Sequence, residues 1–549
     1  MKHKIRSRVL TVMLSLMLII GLMPATALAA GTATVKINGQ VLQDGIEVQC
    51  GDGTAVWDEE SGTLTLDNAT INQDSSTSPG TPVLRADNVD LKIVLIGENT
   101  ITSTTQRPVY LISGEYTIQG SENDSLIIET DSDGLQIDGG NLTIDGCKID
   151  ITSSSYGGMI CLGKYNTGEF GILTIQNGAN IDINSFENTL MGEYGLSITD
   201  STVNATARSN YQDWSTCAVS SNGNLSIANS AVTAAANGDA ANAIYGGTIS
   251  INNSEVAAVT TSQINAYPAL CAGGDIDITN HSSVSANSAS TIGIWSSGGA
   301  IEIQDSTAKV TANDERDAIR GESGGVAISG SWVETFGSKV SKNFTSSDSA
   351  VFLNNEGTVS GSLTLPGSVT VSEDMQLSIP EDSSITVPDG VTFTNHGQIE
   401  LLGELAVNGG SIVCDSHVGG TATCTSKAVC DICGDEYGEI NTANHTNLVK
   451  TEAKPATTTA MGNTEYWYCD GCDKYFSDEA GTKEISLKDT VIPKLTEDTA
   501  GGTTDDTQKP QTDENTQTGD DSNILPIIAV MALAAAGAAA TVIYRRREE

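Results

Sequence analysis

The chain is poor in aromatic residues, poor in charge and especially poor in basic residues. Aromatic residues make up 5% of its 549 positions and charged residues 17%, with 27 Lys and Arg against 69 Asp and Glu. So few aromatic and charged side chains favour a repetitive β-solenoid over a compact enzyme. The net charge of −42 makes nucleic acid and anionic membrane surfaces poor partners.

Helical periodicity is also missing from residues 64–335, where one short pattern recurs instead. Two apolar residues two positions apart are followed by a turn residue and a second apolar pair, as in LSITDSTVNA from Leu196. The eleven copies begin at Leu64, Ile93, Tyr116, Leu142, Leu173, Leu196, Leu225, Ile249, Ile276, Ile301 and Val326. Apolar pairs at period two predict half-buried strands. A repeat length of roughly 20–50 residues predicts stacked units that share one core.

The position four residues after each start is always Asn, Asp or Gly. These corner positions are Asn68, Gly97, Gly120, Gly146, Asn177, Asp200, Asn229, Asn253, Asn280, Asp305 and Gly330. Such residues tolerate a left-handed backbone, so each copy is expected to turn at the same place. A third apolar stretch, such as Ala243-Ile244, lies between copies. Together these features predict an all-β protein, a parallel β-helix with a triangular cross-section and coils about 4.8 Å apart.

The flanking segments predict caps and a secretory signal. Residues 31–63 are expected to form cap strands, and residues 336–410 keep the strand and turn pattern at shorter intervals, as narrower coils. Residues 1–30 combine a basic segment, an apolar run and a small-residue site at Ala27-Leu28-Ala29, which predicts a signal peptide and secretion.

The C-terminal end predicts attachment to the cell surface. A polar linker (496–523) precedes an apolar span (524–544) and a basic tail (545–549). Together with Asn515-Thr516-Gln517-Thr518-Gly519, this layout resembles a sortase-type wall-sorting signal of Gram-positive surface proteins. The resemblance implies cleavage between Thr518 and Gly519, with sortase and peptidoglycan as partners. Thr516 stands where that family has Pro, and a plain membrane tether is the alternative.

Cysteine is sparse in the repeats and concentrated after them. Five cysteines in the first 271 residues are expected to be small core residues, whereas residues 411–495 hold six. Two C-x2-C pairs favour zinc, with disulfides as the competing interpretation in a secreted protein. The expected first site is Cys414, His417, Cys430 and Cys433; the second uses His445, Cys469, Cys472 and an unidentified ligand. The module resembles small Cys-paired, zinc-ribbon-like modules near the C-terminus of anaerobic Gram-positive surface proteins.

The repeat region resembles the pectin-lyase-like right-handed parallel β-helix superfamily. Within it, the region is most similar to secreted carbohydrate-binding β-helices of clostridial type, some of which bind calcium. The residues that carry the likeness are the L-x-I-x-[DNG]-[SG] corners and Gly-Gly pairs such as Gly246-Gly247 and Gly273-Gly274. The resemblance implies binding of polysaccharide or of a host glycan, with calcium as a further cofactor.

Aromatic residues in the repeats are the candidate glycan-binding residues. The insertion Ala207–Cys217 offers Tyr211, Asp213 and Trp214, and Tyr245 and Trp295 occupy comparable places in later coils. Stacked coils would align these residues into one strip; packing of each ring onto its own loop is the alternative. We therefore expect a surface β-helix that binds glycans as an adhesin or docking protein.

Two other classes stay open at this point. One is a polysaccharide lyase or glycosidase, for which the basic cluster Asn313–Arg320 could supply a proton acceptor. The other is a structural stalk. No superfamily hydrolase signature is present, so no catalytic residue is assigned.

Overall fold

The computed structural model describes residues 33–73, 78, 80–164, 171–208, 216–238, 242–261, 267–341, 343–415 and 417–496. The expected signal peptide (1–30), sorting motif with Thr518 and Gly519, and apolar span (524–544) lie outside these residues, as do Tyr211, Asp213 and Trp214. In the part of the chain that is described, no helix is long and apolar enough to cross a bilayer. The chain divides into two units, Met1–Asn444 and His445–Glu549.

The first unit is a parallel β-helix of about 12 coils, which confirms the predicted all-β solenoid. Each coil contributes three strands, one to each of three faces, and each face is a ladder of parallel strands from successive coils. We call the face before the corner face 1, the face after the corner face 2, and the face leading to the next coil face 3.

The strands of each face follow one another at intervals of one coil. Face 1 contains Thr63–Asp67, Leu91–Ile96, Glu115–Gln119, Asn141–Asp145, Ile172–Gln176, Gly195–Thr199, Ile276–Thr279, Ile301–Gln304, Val326–Ser329 and Phe344–Ser347. Face 2 contains Thr70–Asn72, Glu98–Ser103, Ser125–Thr130, Lys148–Ser153, Asn180–Ser185, Thr202–Ala207, Ala231–Ala236, Glu255–Thr260, Ser283–Ser288, Thr307–Thr311, Trp332–Phe336 and Ser349–Leu353. Face 3 contains Leu84–Asp87, Val109–Ile112, Leu135–Asp138, Met159–Leu162, Leu190–Gly192, Leu270–Ala272, Ile294–Ser296, Asp317–Gly321 and Lys339–Val340. Val219–Ala228 and Ile244–Asn252 run continuously from face 3 into face 1.

The corner prediction is confirmed at ten of the eleven positions. Asn253 has φ 45° and Asn229 φ 50°, and every other corner except Gly120 also has positive φ. The Nδ2 of Asn253 donates to the Oδ1 of Asn229, 2.8 Å away in the preceding coil. The corners therefore have a backbone conformation that Asn tolerates, and at Asn229 and Asn253 a side-chain hydrogen bond also links two successive coils.

A buried serine ladder runs beside the corners and was not anticipated from the sequence. Its members are Ser201, Ser230, Ser254, Ser282, Ser306, Ser331 and Ser349, none more than 6% exposed. The Oγ of Ser254 donates to the Asn252 carbonyl at 2.7 Å and accepts the Ser230 N–H at 3.1 Å. Each hydroxyl thus satisfies a backbone group that the corner removes from the strand ladder.

The strand direction changes at both ends of the parallel stack. At the N-terminal end, Thr34–Ile37 and Gly53–Asp58 pair antiparallel with strands of the first coil. At the other end, Glu356–Ser360 forms an antiparallel hairpin with Ser349–Leu353.

Three ladders of parallel strands follow this hairpin. They are Glu356–Ser360, Gln376–Ile379 and Gln398–Leu401; Ser362–Thr364, Ser384–Pro388 and Glu404–Asn408; and Val369–Val371, Thr392–Asn395 and Ser411–Cys414. Because the strands of the first ladder run antiparallel to Ser349–Leu353 of the main coils, we call the terminal coils the reversed segment of the solenoid.

The core of the main coils is a continuous column of Leu, Ile, Val and Ala. Leu225, Ile249 and Ile276 are in register in successive coils and are at most 1% exposed. Cys147 and Cys161 belong to this column, as expected of small core residues. Cys217 and Cys271 are also buried, but they line a groove on face 3 instead.

The cysteine-rich segment contributes short strands to both units. In the first unit, Ala428–Val429 and Glu436–Tyr437 pair antiparallel. The second unit contains one sheet of Leu448–Thr451, Tyr466–Cys469, Lys474–Phe476 and Glu484–Ile485, a pair formed by Gly462–Asn463 and Val491–Ile492, and a 3₁₀ turn at Leu487–Thr490.

Candidate functional site

On face 3, a column of outward side chains places four residues next to one another, each from one of four successive coils. Ser220 is in register with Tyr245, Tyr245 with Cys271, and Cys271 with Trp295. Strand alternation explains the orientation: Ile244 is fully buried in the core, so the next residue, Tyr245, points to the opposite side. Neighbouring members of the column are therefore about one strand spacing apart, roughly 4.8 Å.

This column lines a groove of about 410 Å³, which we call the face 3 groove. Met191, which is in register with Ser220, extends the same column, and Asn242 and Tyr267 also contribute to the wall. The volume falls within the range of about 300–1,000 Å³ that is typical of small-ligand sites. The groove therefore offers a concave surface with aromatic rings and amide and hydroxyl groups.

Three polar atoms of the groove residues are buried without a hydrogen-bond partner among the residues that the structure describes. They are the Ser220 Oγ, the Asn242 Oδ1 and the Trp295 Nε1. An unsatisfied buried polar group costs about 1–3 kcal/mol, so clustering of three in one groove calls for a polar ligand or water. The set offers a hydroxyl, an amide acceptor and an indole donor.

The groove is held in a neutral state. Burial raises the pKa of the Cys217 thiol to about 11 and that of the Cys271 thiol to about 12. Burial, followed by the two nearby thiols, raises the pKa of the Tyr245 hydroxyl. None of the twelve described lining residues is Asp, Glu, Lys or Arg. At neutral pH the thiols and the phenol stay protonated, so the described lining has no proton acceptor of the kind that a lyase or glycosidase needs.

The basic cluster considered for lyase chemistry lies one coil further along face 3. Arg320 is in register with Trp295, and its guanidinium is 2.6 Å from the Glu322 carboxylate. Lys339 is 3.8 Å from Asp317, so two of the bases in this region are ion-paired. These ion pairs are typical of a salt-bridged surface loop, which is the alternative to a catalytic role for this cluster.

The structure thus brings Tyr245 and Trp295 together, two coils apart in one column. Ser220, Asn242 and Tyr267 were missed, because only the register of the coils shows that they share a wall with the aromatic rings. Ser220 could have been found by aligning the third strands, since Val219 and Ile244 occupy equivalent inward positions.

The first cysteine cluster lies in the first unit at the end of the reversed segment. The Sγ atoms of Cys414, Cys430 and Cys433 lie within 4.8 Å of one another. The Nδ1 of His417 is 3.5 Å from the Cys433 Sγ, and its ring stacks on Tyr437 at 5.2 Å between centroids. These are the four residues that the sequence grouped, and the three cysteines carry unbridged thiols.

The thiols of this cluster differ in their readiness to ionise. Burial raises the pKa of Cys430, but backbone N–H groups of Cys433, Val418 and Ile432 lower it more, to about 6. Burial and the neighbouring thiols of Cys433 and Cys430 raise the pKa of Cys414 to about 12. A thiolate at Cys430 thus opposes ionisation of its neighbour, and a bound cation would relieve that conflict. Three sulfurs and an imidazole suit a tetrahedral thiophilic metal such as zinc.

A second group of candidate ligands lies in the second unit. His445, Cys469 and Cys472 have ligand atoms within 4.8 Å of one another, and the His445 Nδ1 is 3.5 Å from the Cys472 Sγ. The His445 ring packs on Phe476 at 4.4 Å between centroids. These are the ligands expected for the second C-x2-C pair. Among the described residues, no comparable group made of carboxylates alone is present for calcium.

Comparison of the chain with protein-family models, with curated proteins and with solved structures finds no match.

Proposed function

We propose that the protein is a surface-displayed β-helix that binds extracellular polysaccharide or a host glycan through the face 3 groove. The observation that carries this proposal is the combination of Tyr245 and Trp295 with three unpartnered polar atoms in one groove whose described lining is uncharged. Aromatic faces stack on the apolar faces of sugar rings, while hydroxyl, amide and indole groups exchange hydrogen bonds with sugar hydroxyls.

The neutral lining favours a neutral glycan. The chain carries a net charge of −42, so a groove without a charged residue among its described lining is a local exception. An acidic sugar would lose its hydration against this lining without gaining a cationic partner from it, and the neighbouring Arg320 is already paired with Glu322. A neutral hexose or pentose polymer would lose only hydroxyl hydration, which Ser220, Asn242 and Trp295 can replace.

The remaining parts of the proposal concern cell attachment and cofactors. From the resemblances in the sequence, we further propose that the protein is secreted, that it is anchored to the wall at Thr518-Gly519, and that its coil is right-handed and pectin-lyase-like. These features would suit an adhesin or docking protein. Zinc in the cysteine clusters is supported by their ligand geometry. Calcium remains an expectation from the resemblance.

A glycan array tests the groove. The full chain is probed alongside Trp295→Ala and the control Tyr156→Ala, which removes an aromatic ring that is 51% exposed and does not line the groove. We expect binding to neutral polysaccharides that Trp295→Ala weakens and Tyr156→Ala leaves intact. Equal loss in both variants, or no binding by the wild type, would contradict the proposal.

The same samples separate a binder from a lyase. A lyase would release unsaturated uronides from acidic polysaccharides, and that release would stop when Arg316 or Arg320 is replaced by alanine. Appearance of this product, with that dependence, would replace the binding proposal with an enzymatic one.

A further inference from the structure

The reversed segment of the solenoid ends in three strands that each stand at the end of a ladder. These are Gln398–Leu401, Glu404–Asn408 and Ser411–Cys414, which pair with the preceding coil only, among the described strands. A solenoid end of this kind exposes both unpaired backbone groups and the open end of the core. Stability at this end therefore depends on what covers the last coil.

Residues 417–437 cover that coil. Ile399, Leu401, Leu405 and Ile412 of the last coil are half-buried, and they pack against the Trp332–Phe393 core on one side. The same four side chains pack against a cluster formed by Cys414, Cys430 and Ile432 on the other side. The core of the solenoid is thus continuous with the first cysteine cluster.

The covering segment is too small to hold itself in place. Its regular structure is one pair of two-residue strands, Ala428–Val429 and Glu436–Tyr437. Apart from its cysteines, its buried apolar residues are few: Ile432 is 7% exposed and Ala428 is 9% exposed. Segments of this size normally require a disulfide or a metal ion to stay folded.

We propose that a metal ion bound by Cys414, His417, Cys430 and Cys433 closes the C-terminal end of the β-helix. Cys414 is the last residue of the last strand, whereas the other three ligands belong to the covering segment. Coordination therefore joins the last coil to its cover in a way that a site within one loop would not. The Ile432 N–H, 3.4 Å from the Cys430 Sγ, orients one sulfur in the arrangement expected of a structural zinc site.

The inference builds on the zinc binding proposed above and is independent of the glycan groove. The groove residues lie in coils between residues 188 and 297, far along the chain from the last coil. Loss of the metal cap should therefore not change glycan binding. Likewise, a failure to detect glycan binding on the array would not count against the metal cap.

Native mass spectrometry and hydrogen exchange of the full chain test the cap. Cys433→Ser removes a ligand of the first cluster, and Cys472→Ser is the matched control, since it changes the second cysteine of the other C-x2-C pair. We expect each variant to lose one zinc. Only Cys433→Ser should lower the protection of residues 398–414, by about ten-fold or more, while Ile244–Asn252 stays protected in both.

Several outcomes would overturn the cap. These are zinc retained in Cys433→Ser, zinc lost with unchanged protection of residues 398–414, equal deprotection in the two variants, or a wild type without metal. If Cys433→Ser does not fold, chelation of the folded wild type replaces it. The same selective loss of protection is then expected, and unchanged protection after complete zinc removal would count against the inference.

Discussion

The face 3 groove and the first cysteine cluster are built in opposite ways. The groove takes its residues from several coils, so Ser220 and Tyr245 lie one coil apart and Tyr245 and Trp295 two coils apart. The cluster takes its four residues from a stretch of 20 positions, 414–433. The groove therefore depends on the register of the whole stack, whereas the cluster depends on local turns and on the ion that it binds.

Metal removal should separate the two sites most sharply. Chelation of the full chain is expected to remove the metal completely. Because zinc binding is the main source of order in such small modules, the cluster should lose its order together with the ion. Glycan binding at the groove should stay within about two-fold of its starting affinity, since coil register needs no ion. Metal content by mass spectrometry and glycan affinity by titration provide the measurement. Loss of glycan binding on removal of the metal would show that the groove also depends on the ion.

A change in the serine ladder should affect the groove's scaffold and spare the cluster. Ser254→Ala leaves the buried Ser230 N–H without its acceptor. We expect the free energy of unfolding of the coils to fall by about 1–3 kcal/mol. Denaturant titration measures the loss, and metal content should be unchanged. A neutral result would mean that the hydroxyl is not needed to satisfy that amide.

Replacement of a corner residue should have a similar but smaller effect. Asn253 has φ 45° and donates to Asn229, so valine there adds strain and removes a ladder bond. We expect Asn253→Val to reduce the unfolding free energy by about 1–2 kcal/mol. Thr233→Val, at an exposed face 2 position, is the control and should stay within about 0.5 kcal/mol of wild type. Equal stability of the two variants would show that the corner tolerates a branched side chain.

Loss of one aromatic face should be the smallest effect. Trp295→Ala is expected to weaken binding of a neutral glycan by about 1–1.5 kcal/mol, or roughly ten-fold, because stacking and one hydrogen-bond donor are lost. Isothermal titration with the ligand found on the array measures this change. Unchanged affinity would place the binding surface elsewhere on the β-helix.

The repeat pattern was sufficient to predict the parallel β-helix because its signals are local. Alternation of apolar residues decides which side chains enter the core, and an Asn, Asp or Gly corner decides where the chain turns. Gly120 is the exception, which shows that the residue type permits positive φ without requiring it. The reversed direction after Leu353 was not predicted, because a strand has the same alternation in both directions.

The groove shows why the sites were harder to predict than the fold. Tyr245 and Trp295 could be proposed as binding residues because they are aromatic and occupy comparable positions in the repeat. The contribution of Asn242 and the outward placement of Cys217 and Cys271 could not be predicted in this way. A cysteine is small and apolar enough for a core, so its sequence environment does not distinguish the core from a groove wall.

The sequence by itself determined the coil, its corners and the grouping of Cys414, His417, Cys430 and Cys433, since each depends on residues close together in the chain. Only the tertiary structure decided which outward side chains become neighbours and that the cysteine segment covers the last coil through Ile399 and Leu405. Both depend on stacking between segments that are distant in sequence. The lengths of the intervening loops, which carry no periodic signal, set how those segments align.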